Sequence, residues 1–539
     1  MQGLTMDYQL TLPALLKRAE DLFGKREIVT RLPDKSFHRY TYKDFVRRSK
    51  KLAIALGELG LEKGDRVATL AWNQYQHLEA YFGVPSAGLV IHTINPRLKG
   101  HEISYILNHA DDKVLLIDET MAPLLAGFKD DVNLERILVF SASGDAPEGL
   151  QSYEDFIEGA DESKFEYPTL DENDAAALCY TSGTTGRPKG ALYSHRCLCI
   201  HSLLVSMPDA FGISIKDTVL PVVPMFHVNA WGIPFAATMI GCKQVMPGPH
   251  MDPESLLDAL EKEKVNFTAG VPTIWLGILQ ILDKDPDKYD LSNLHAMGVG
   301  GSAAPEAMIR GFEERHGLHI IHAWGMTEMA PVGTAGYLTP DLLEEPEDVQ
   351  YKYRAKQGIQ LPFVEVRARG DEGFVEWDGN AMGELEVRGP TVASSYYESP
   401  EGADKFTDDG WFRTGDVVSI DPRGYVEIRD RDKDLVKSGG EWISSVDLEN
   451  SLMGHEAVAE AAVIAIPHPK WDERPLAIVV LKEGKNATPD ELREHLETNF
   501  AKWQLPDAFE FVDEIPRTAT GKFLKRALRE QFEGYELAT

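Results

Sequence analysis

Helical and strand-like segments alternate through residues 40–320, and this alternation limits the possible folds more than any other feature. Residues 42–59, 77–87 and 102–107 have the apolar spacing of amphipathic helices. Strands that alternate with covering helices form largely parallel sheets. The sequence therefore predicts an α/β fold in which helices cover the sheets. The apolar runs typical of buried strands are 65–70, 89–93, 113–118, 175–180, 219–223, 244–246, 266–271 and 296–299.

The pattern changes after about residue 355, where apolar and polar residues alternate between glycine-rich turns. The alternating segments are Val364–Arg369, Gly383–Arg388 and Gly424–Arg429. This pattern predicts a small antiparallel β subdomain at about 355–430 with one solvent-exposed face. The fully charged segment 430–434 is a candidate linker, and a further α+β unit follows it. We therefore expect a large N-terminal domain at 1–430 and a C-terminal lid domain at 431–539.

Charge and cysteine content limit the classes of function. The 539 residues include 86 acidic and 55 basic side chains, which gives a formal net charge of −31. Such a chain is a poor partner for nucleic acids and anionic membranes, and a site for polyanionic substrates would have to be locally positive. The four cysteines match no zinc or disulfide pattern, and no stretch has the length of a membrane span. We expect a cytoplasmic protein without an integral membrane segment; a homodimer stays an open alternative.

One segment, Tyr180–Gly190, combines three glycines, four hydroxyl side chains and two cations in eleven positions. It follows an apolar run, and Ser194 can cap a helix after it. A loop between a strand and a helix can direct N–H groups, hydroxyls and positive charge onto phosphates. It is not a Walker A loop, because Gly190 follows Lys189, and its glycines lack the dinucleotide spacing. An ordinary flexible loop is the alternative interpretation.

Other segments carry residue types suited to nucleotide chemistry. Trp324 offers a flat surface for a purine, and Glu328 offers a hard oxygen ligand for Mg²⁺. Asp416 follows a tight turn and can accept two hydroxyl hydrogens of a ribose. Lys522, close to the C-terminus, can neutralise charge that develops on a carboxylate and a phosphate. His227 lies in an otherwise apolar stretch, and a packed core residue is the alternative for it.

These segments, in this order, resemble the adenylate-forming superfamily of acyl-CoA synthetases, luciferases and peptide-synthetase adenylation domains. The resemblance covers nearly the whole chain. Within the superfamily, Phe226–Trp231 and Lys437–Ser444 look most like bacterial medium- and long-chain fatty acid–CoA ligases, and methylthiopropanoate–CoA ligases share much of this sequence. The matching motifs are Tyr180–Gly190, Ala323–Glu328, Gly410–Asp416, Asp430–Lys437 and Pro516–Lys522.

The resemblance implies a two-step reaction. A carboxylate first attacks the α-phosphate of Mg·ATP, which gives an acyl-adenylate and pyrophosphate, and the thiol of coenzyme A then displaces AMP. Lys522 and His227 are the catalytic candidates, and Thr184 and Glu328 would bind Mg²⁺. Trp324 would stack on adenine, where the family usually has tyrosine. The positions expected to bind ATP and AMP are Thr181, Ser182, Gly183, Thr184, Thr185, Gly186, Lys189, Ala323, Trp324, Gly325, Met326, Thr327, Glu328, Asp416 and Arg431.

The resemblance also implies that the C-terminal domain rotates between the two steps about a hinge at Lys433. One pose presents Lys522, and the other presents the loop that receives coenzyme A. His227 stands where amino-acid-activating relatives carry an aspartate, so an amino acid substrate is disfavoured. The expected coenzyme A contacts are Lys437, Gly439, Gly440 and Trp442. The expected acyl-pocket residues are Trp231, which would gate the pocket, Gly300 and Gly301.

Four functions compete at this stage. The first is a ligase that joins an apolar monocarboxylate, such as a medium- or long-chain fatty acid, to coenzyme A; a short acid such as 3-methylthiopropanoate is a variant of it. The others are an adenylating enzyme that loads a carrier protein, a luciferase-like oxygenase and a non-catalytic nucleotide-binding protein. Intact Lys522 and Glu328 oppose the last of these, and the sequence around Lys437 favours coenzyme A over a carrier protein.

Overall fold

The computed structural model describes residues 1, 3–181, 187–439, 441–518 and 522–535. The described helices are α1 (Leu12–Phe23), α2 (Tyr42–Gly57), α3 (Tyr75–Ser86), α4 (Gly100–Ala110), α5 (Tyr153–Glu158), α6 (His195–Ser206), α7 (Val228–Trp231), α8 (Ile233–Ile240), α9 (Pro253–Lys262), α10 (Pro272–Lys284), α11 (Glu306–His316), α12 (Pro340–Leu343), α13 (Glu347–Ala355), α14 (Ser445–Met453), α15 (Pro489–Glu497) and α16 (Lys525–Gln531).

The described strands are β1 (Glu27–Arg31), β2 (Phe37–Thr41), β3 (Arg66–Leu70), β4 (Val90–Thr93), β5 (Asp112–Asp118), β6 (Arg136–Phe140), β7 (Gln151–Ser152), β8 (Ala175–Tyr180), β9 (Gly190–Ser194), β10 (Thr218–Pro221), β11 (Lys243–Met246), β12 (Phe267–Gly270), β13 (Ala296–Val299), β14 (Ile320–Gly325), β15 (Val332–Ala335), β16 (Ile359–Gln360), β17 (Glu365–Gly370), β18 (Gly373–Phe374), β19 (Gly383–Arg388), β20 (Phe412–Ile420), β21 (Val426–Arg431), β22 (Val436–Ser438), β23 (Glu441–Ile443), β24 (Val458–His468), β25 (Asp472–Leu481) and β26 (Ala508–Phe511).

Four sheets organise these strands. A seven-stranded sheet has the order β7-β6-β5-β3-β4-β8-β9, and a nine-stranded sheet has the order β16-β15-β14-β13-β12-β10-β11-β1-β2. Both are parallel in their interior and antiparallel only toward their edges. The third sheet, β18-β17-β19-β20-β21, is wholly antiparallel, and the fourth closes the chain. The predicted α/β fold with a β subdomain and a small C-terminal domain is confirmed, whereas the exact domain boundaries stay predictions.

The strands of the two large sheets are apolar because helices cover both of their faces. In β5, six of seven residues are buried, and in β4 all four are. Helix α2 begins where Thr41 and Asp44 cap each other's backbone N–H groups. Ser194 caps α6 as predicted, because its hydroxyl accepts the N–H of Cys197 at 3.1 Å. All four cysteines are free and buried, and no described helix has the length and apolarity that crossing a membrane requires.

The structure differs from the sequence-based prediction in the environment of the glycine-rich segment. The segment does not lead directly into a helix: Gly190 opens β9, which runs antiparallel to β8 and precedes α6. Within β9, Ala191 and Tyr193 are buried while Leu192 is 38% exposed, which is the alternation of an edge strand. Strand β9 has only five residues, so its alternating pattern was not recognised in the sequence next to the helix that follows. The loop therefore joins two paired strands, and its ends are fixed by a sheet.

The carboxyl ends of the parallel strands meet along one crevice, which is where open α/β sheets bind ligands. Strand β13 leads there into Gly300 and Gly301, and β14 ends there at Gly325. Strand β10 leads into residues 222–231, which end in the short element α7; its backbone is a left-handed turn and not an ordinary right-handed helix. Its four residues, Val228 to Trp231, have φ between 46° and 55°. Non-glycine residues rarely adopt this conformation, so the surrounding structure must enforce it.

Two buried polar side chains hold this segment. Asn73 of the seven-stranded sheet region donates from Nδ2 to the carbonyls of Pro221 (2.8 Å) and Val223 (2.9 Å), and its Oδ1 accepts the N–H of Met225 (2.6 Å). Further along, the Cys179 thiol donates to Oδ1 of Asn229 at 2.9 Å. The chain before the left-handed turn is thus tied to the opposite sheet.

We predict that Asn73→Ala lowers the free energy of unfolding by about 2–4 kcal/mol, because it leaves three buried backbone groups without partners. Urea unfolding followed by circular dichroism measures this change. Asn380→Ala is the control, since Asn380 is exposed and bonds only to nearby Asp378. Equal stability of the two variants would contradict the proposed role of Asn73.

Candidate active site

A cavity of about 780 Å³ lies between the large N-terminal part of the chain and the C-terminal unit. Its described lining includes ten lysine or arginine side chains but only four carboxylates. The cavity is thus locally basic although the chain carries a net charge of −31, which favours polyanionic ligands. Residues predicted for the site that line this cavity are Thr181, Lys189, His227, Trp231, Gly300, Gly301, Ala323, Trp324, Gly325, Met326, Thr327, Glu328, Arg431, Lys433 and Lys522.

The two ends of the glycine-rich loop are held together at the cavity wall. The N–H of Thr181 donates to the carbonyl of Lys189 at 2.9 Å, and the N–H of Lys189 donates to the Thr181 hydroxyl at 3.2 Å. The Lys189 ammonium lies 5.0 Å from the centre of the Tyr396 ring. Between these ends, the predicted phosphate-binding residues Ser182, Gly183, Thr184, Thr185 and Gly186 lie outside the described residues.

The segment 323–328 forms the opposite wall of the cavity. Ala323, Trp324 and Gly325 complete β14, and Glu328 follows on a short 3₁₀ turn. The Glu328 side chain accepts a hydrogen bond from the Tyr396 hydroxyl at 2.5 Å. The carbonyl of Thr327 accepts the hydroxyl of buried Tyr193, which lies on β9 next to the glycine-rich loop. Strand β9, which follows the glycine-rich motif, is therefore bonded to the segment 323–328.

Asp416 lies behind this wall and does not line the cavity itself; it lines an adjoining pocket together with Trp324, Arg431 and Lys522. It lies on β20, and its side chain is only 2% exposed. One carboxylate oxygen accepts the indole N–H of Trp324 at 2.9 Å, and the other pairs with Nε of Arg431 at 2.6 Å. A carboxylate that accepts a neutral and a charged hydrogen bond is fixed in orientation. Trp324 itself is 6% exposed and lines the cavity, so its predicted stacking on adenine stays a proposal.

The two catalytic candidates have shifted pKa values. Burial, together with the charge of nearby Arg431, lowers the pKa of Lys522 to about 8, while Asp416 and Glu328 oppose the shift. Burial and the charge of Lys522 lower the pKa of His227 to about 3. At pH 7 the imidazole is therefore neutral, while Lys522 is protonated. A cation in a cavity of this kind is characteristic of functional sites.

Trp231, Gly300 and Gly301 form one continuous apolar wall. The Trp231 ring lies on Phe211, with ring centres 6.4 Å apart. A Cβ on Gly300 would lie 2.6 Å from the carbonyl oxygen of Ala323 and 3.1 Å from the Trp231 ring, so only glycine fits. Gly301 has φ +85°, and a Cβ there would lie 3.8 Å from Cε of Lys522. The wall thus reaches from the indole to the lysine.

The residues predicted to contact coenzyme A lie elsewhere in this structure. Lys437, Gly439 and Trp442 are exposed and do not line the cavity, and Gly440 lies outside the described residues. The Lys437 ammonium lies 4.6 Å from the centre of the Trp442 ring. The pose of the C-terminal unit therefore brings Lys522 to the cavity, whereas Lys437, Gly439 and Trp442 do not reach it.

Tyr396 is the residue that the sequence analysis missed. It donates to Glu328, and its ring faces Lys189, so it links the two nucleotide motifs. The sequence feature that could have indicated this residue is the pair Tyr396–Tyr397, which follows a Gly-Pro turn. Taken alone, such a pair is typical of an edge of the β subdomain. The partners of Tyr396 lie 68 and 207 residues away, so spacing could not reveal the contact.

Glu328 fits the donor type that Mg²⁺ requires. The cation commonly takes one or two carboxylates and completes its shell with water and substrate phosphates. Glu328 is a carboxylate on the wall of a basic cavity, which suits a metal that arrives with a phosphate chain. Among the described residues no cluster of three or more His, Cys, Asp or Glu side chains could hold a metal alone. Thr184, the other predicted ligand, lies outside the described residues.

Comparison with known proteins defines the class. A sequence profile described as AMP-binding enzyme matches residues 16–397, and one described as AMP-binding enzyme C-terminal domain matches residues 447–522. The chain therefore belongs to the AMP-binding, adenylate-forming family, as its motifs predict. The anthranilate CoA ligase AuaEII in complex with anthranoyl-AMP has a TM-score of 0.87 to this chain, with 26% identity and coverage of 98% of this chain and 99% of that one.

Three curated relatives cover nearly the whole chain. The long-chain-fatty-acid–CoA ligase of Thermus thermophilus is 50% identical over 534 residues, 98% of this chain and 97% of the relative. The 3-methylmercaptopropionyl-CoA ligase of Ruegeria lacuscaerulensis is 45% identical and covers 99% of both chains. The medium-chain-fatty-acid–CoA ligase of Ectopseudomonas oleovorans is 44% identical, with 99% of this chain and 98% of the relative covered.

We predict that Lys522→Met stabilises the protein without ligands at pH 7 by about 3 kcal/mol. The folded-state pKa of about 8 lies below the ordinary value of 10.5. The unfolded state therefore binds more protons between these pH values, and wild-type stability rises with pH in that window. Below pH 8, the buried ammonium of Lys522 lowers the free energy of unfolding of the wild type. The Lys522→Met variant has no such charge and is therefore more stable.

Urea unfolding at pH 7 and pH 10 measures this difference. The advantage of Lys522→Met should shrink as the pH rises from 8 to 10.5. Lys164→Met is the control, because the Lys164 side chain is 79% exposed. A Lys522→Met variant that is less stable than the wild type at pH 7 would contradict the prediction.

Proposed function

We propose that this enzyme is an ATP-dependent acyl-CoA ligase that activates a medium- or long-chain fatty acid. The observation that carries the proposal is the meeting of Lys522 from the C-terminal unit with Glu328 of the N-terminal part, and with Arg431 at the boundary between them, in one basic cavity. A carboxylate is a weak nucleophile toward a polyanion, and placed cations lower the barrier between two negative reactants.

In the first step, a carboxylate oxygen of the acid attacks the α-phosphorus of ATP, and pyrophosphate leaves with the electrons of the broken P–O bond. Lys522 would neutralise charge between the carboxylate and the α-phosphate. Thr181 and Lys189 would hold the phosphate chain together with Ser182–Gly186. Asp416 and Arg431 would hold the ribose, since the Asp416 carboxylate is already fixed by Trp324 and Arg431.

A Mg²⁺ ion held by Glu328 and Thr184 would supply positive charge to the phosphate chain. Tyr396 would orient the Glu328 carboxylate for this role, since its hydroxyl occupies one oxygen of that group. The other protein groups act without the metal: Trp231 and Gly300 exclude water from one end of the cavity, and Lys522 holds its proton at pH 7.

In the second step, the sulfur of coenzyme A attacks the carbonyl carbon of the acyl-adenylate, AMP leaves, and the thiol proton passes to solvent. We place the domain boundary at 430/431 and the hinge at Lys433. Rotation there would replace Lys522 by the loop with Lys437, Gly439, Gly440 and Trp442. Of these residues, Lys437, Gly439 and Trp442 do not line the cavity in the present pose, which agrees with two poses for two steps.

The acyl site supports a monocarboxylate whose chain is apolar and carries no amine. His227 is neutral at pH 7, and among the described lining residues the wall at Trp231 and Gly300 offers no carboxylate to a substrate amine. The names of the relatives point to fatty acids of medium or long chain. We also propose a cytoplasmic location, since the four cysteines are free thiols.

A second candidate substrate is 3-methylthiopropanoate. A relative named for this activity is 45% identical over the full length of the chain, within a few per cent of the two fatty-acid ligases. Identity at this level does not separate the two acids. The depth of the pocket behind Trp231 would separate them, because a short acid needs no room beyond the indole.

A substrate panel tests the proposal. We expect magnesium-dependent exchange of labelled pyrophosphate into ATP that is fastest with acids of about eight to sixteen carbons, and acyl-CoA formation with the same acids. Three-carbon acids, 3-methylthiopropanoate, aryl acids and amino acids complete the panel, and EDTA should stop the exchange. Fastest exchange with 3-methylthiopropanoate would favour the second candidate. Exchange with no acid at all would refute the ligase assignment.

A further inference from the structure

Asp430 makes a buried side-chain link between the β subdomain and the C-terminal unit, beside a second link in which the Ser444 hydroxyl donates to the carbonyl of Arg429. It lies on β21, which pairs with β20, so it belongs to the antiparallel sheet. One oxygen, Oδ2, accepts the backbone N–H of Ser445 at 2.7 Å and the Ser445 hydroxyl at 2.6 Å. Ser445 begins α14, which packs on β24 of the C-terminal sheet. The contact therefore bridges two bodies that are joined in sequence only by the segment around Lys433.

The contact is buried and continues toward the catalytic loop. Asp430 is 1% exposed and Ser445 is 0% exposed. The Ser445 hydroxyl, which donates to Asp430, accepts the Lys525 ammonium at 2.5 Å. Lys525 also pairs with Glu449 of α14 at 2.6 Å. A chain of hydrogen bonds thus runs from Asp430 through Ser445 to Lys525.

Lys525 stands three residues after Lys522, a separation that spans at most about 11 Å of chain. The intervening loop has its own cross-links: the Thr518 N–H donates to the Lys522 carbonyl at 2.7 Å, and the Leu524 N–H donates to the Pro516 carbonyl at 2.7 Å. Fixing Lys525 against α14 and Asp430 therefore fixes the base of the loop that carries Lys522 into the cavity.

We propose that Asp430 is a positioning residue for the first half-reaction, because its bonds to Ser445 hold the C-terminal unit in the pose that presents Lys522. This inference rests on the proposed function. Any rotation about Lys433 separates Asp430 from Ser445, since the two residues lie on opposite sides of that position. The second half-reaction therefore proceeds without this contact.

The charges explain how the contact can be released. Two carboxyl groups, Asp430 and Glu449, share one ammonium, that of Lys525. Burial raises the pKa of Glu449 to about 7 and raises the pKa of Asp430, so keeping both groups ionised beside one cation is unfavourable. A buried excess of negative charge is costly. When Asp430 leaves, Lys525 and Glu449 remain as a balanced pair, and Asp430 regains solvent. The contact therefore favours the pose that presents Lys522 but still allows the C-terminal unit to leave it.

The half-reactions can be measured separately. Decanoate and labelled pyrophosphate report adenylate formation by exchange into ATP, and synthetic decanoyl adenylate with coenzyme A reports thioester formation. For Asp430→Ala we expect the exchange rate to fall about tenfold, because two hydrogen bonds to a buried charge are lost. Thioester formation should stay within about twofold of the wild type or rise.

Two variants and a control keep the test sharp. Ser445→Ala retains the backbone N–H donor, so we expect a smaller fall of about threefold in exchange. Asp430→Asn keeps the size of the side chain and one acceptor oxygen. It replaces Asp430→Ala in the test if that variant does not fold. Asp421→Ala is the matched control: Asp421 is 4% exposed, but its partners Lys356, Arg423 and Tyr425 all lie in the N-terminal part. It should affect both half-reactions equally.

Equal losses in both half-reactions of Asp430→Ala, or an unchanged exchange rate, would overturn the role of Asp430 while leaving the ligase assignment intact. Absence of exchange in the wild type with every acid of the panel would instead overturn the proposed function on which this role rests.

Discussion

The site depends on the buried ammonium of Lys522, which is placed to interact with the negatively charged reactants. The lysine approaches Glu328 and Asp416 without being neutralised by a direct ion pair with either, and burial depresses its pKa. A buried ammonium without a paired anion is energetically unfavourable. Binding of a phosphate or carboxylate next to Lys522 removes this cost and is therefore favoured. Much of the surrounding structure serves to place this group: the basic lining, the C-terminal unit that delivers it, and the glycine wall that admits it.

The remaining architecture explains why the groups converge. Parallel strands end in a common crevice, and long-range hydrogen bonds then fix what each strand end carries. Asn73 ties residues 221–225 to the opposite sheet, and Tyr193 ties the glycine-rich segment to Thr327. Tyr396 connects the β subdomain to the same site, because its hydroxyl donates to the Glu328 carboxylate. The two sheets and the subdomain therefore cannot shift independently without changing the site.

Local periodicity predicts the α/β class and the change to antiparallel strands after about residue 355, and the sheets confirm both. The nucleotide motifs were recognised from their residue types and from the resemblance to the adenylate-forming superfamily, and the binding roles of their residues stay predictions. Sequence reasoning could not predict that β9 follows the glycine-rich segment, since five alternating residues are a weak signal beside a capped helix. It also missed Tyr396, whose partners are remote in sequence. The left-handed turn before Gly232 was equally invisible, because Val, Asn, Ala and Trp have no propensity for it and only tertiary contacts impose it.

The central claim is that a carboxylate oxygen attacks the α-phosphorus of ATP in this cavity. Turnover of decanoate labelled with ¹⁸O in both carboxyl positions, followed by mass spectrometry of the products, tests it most directly. The account predicts one ¹⁸O in AMP and none in pyrophosphate. Label in orthophosphate or pyrophosphate, with unlabelled AMP, would show attack at another phosphorus and would contradict the account.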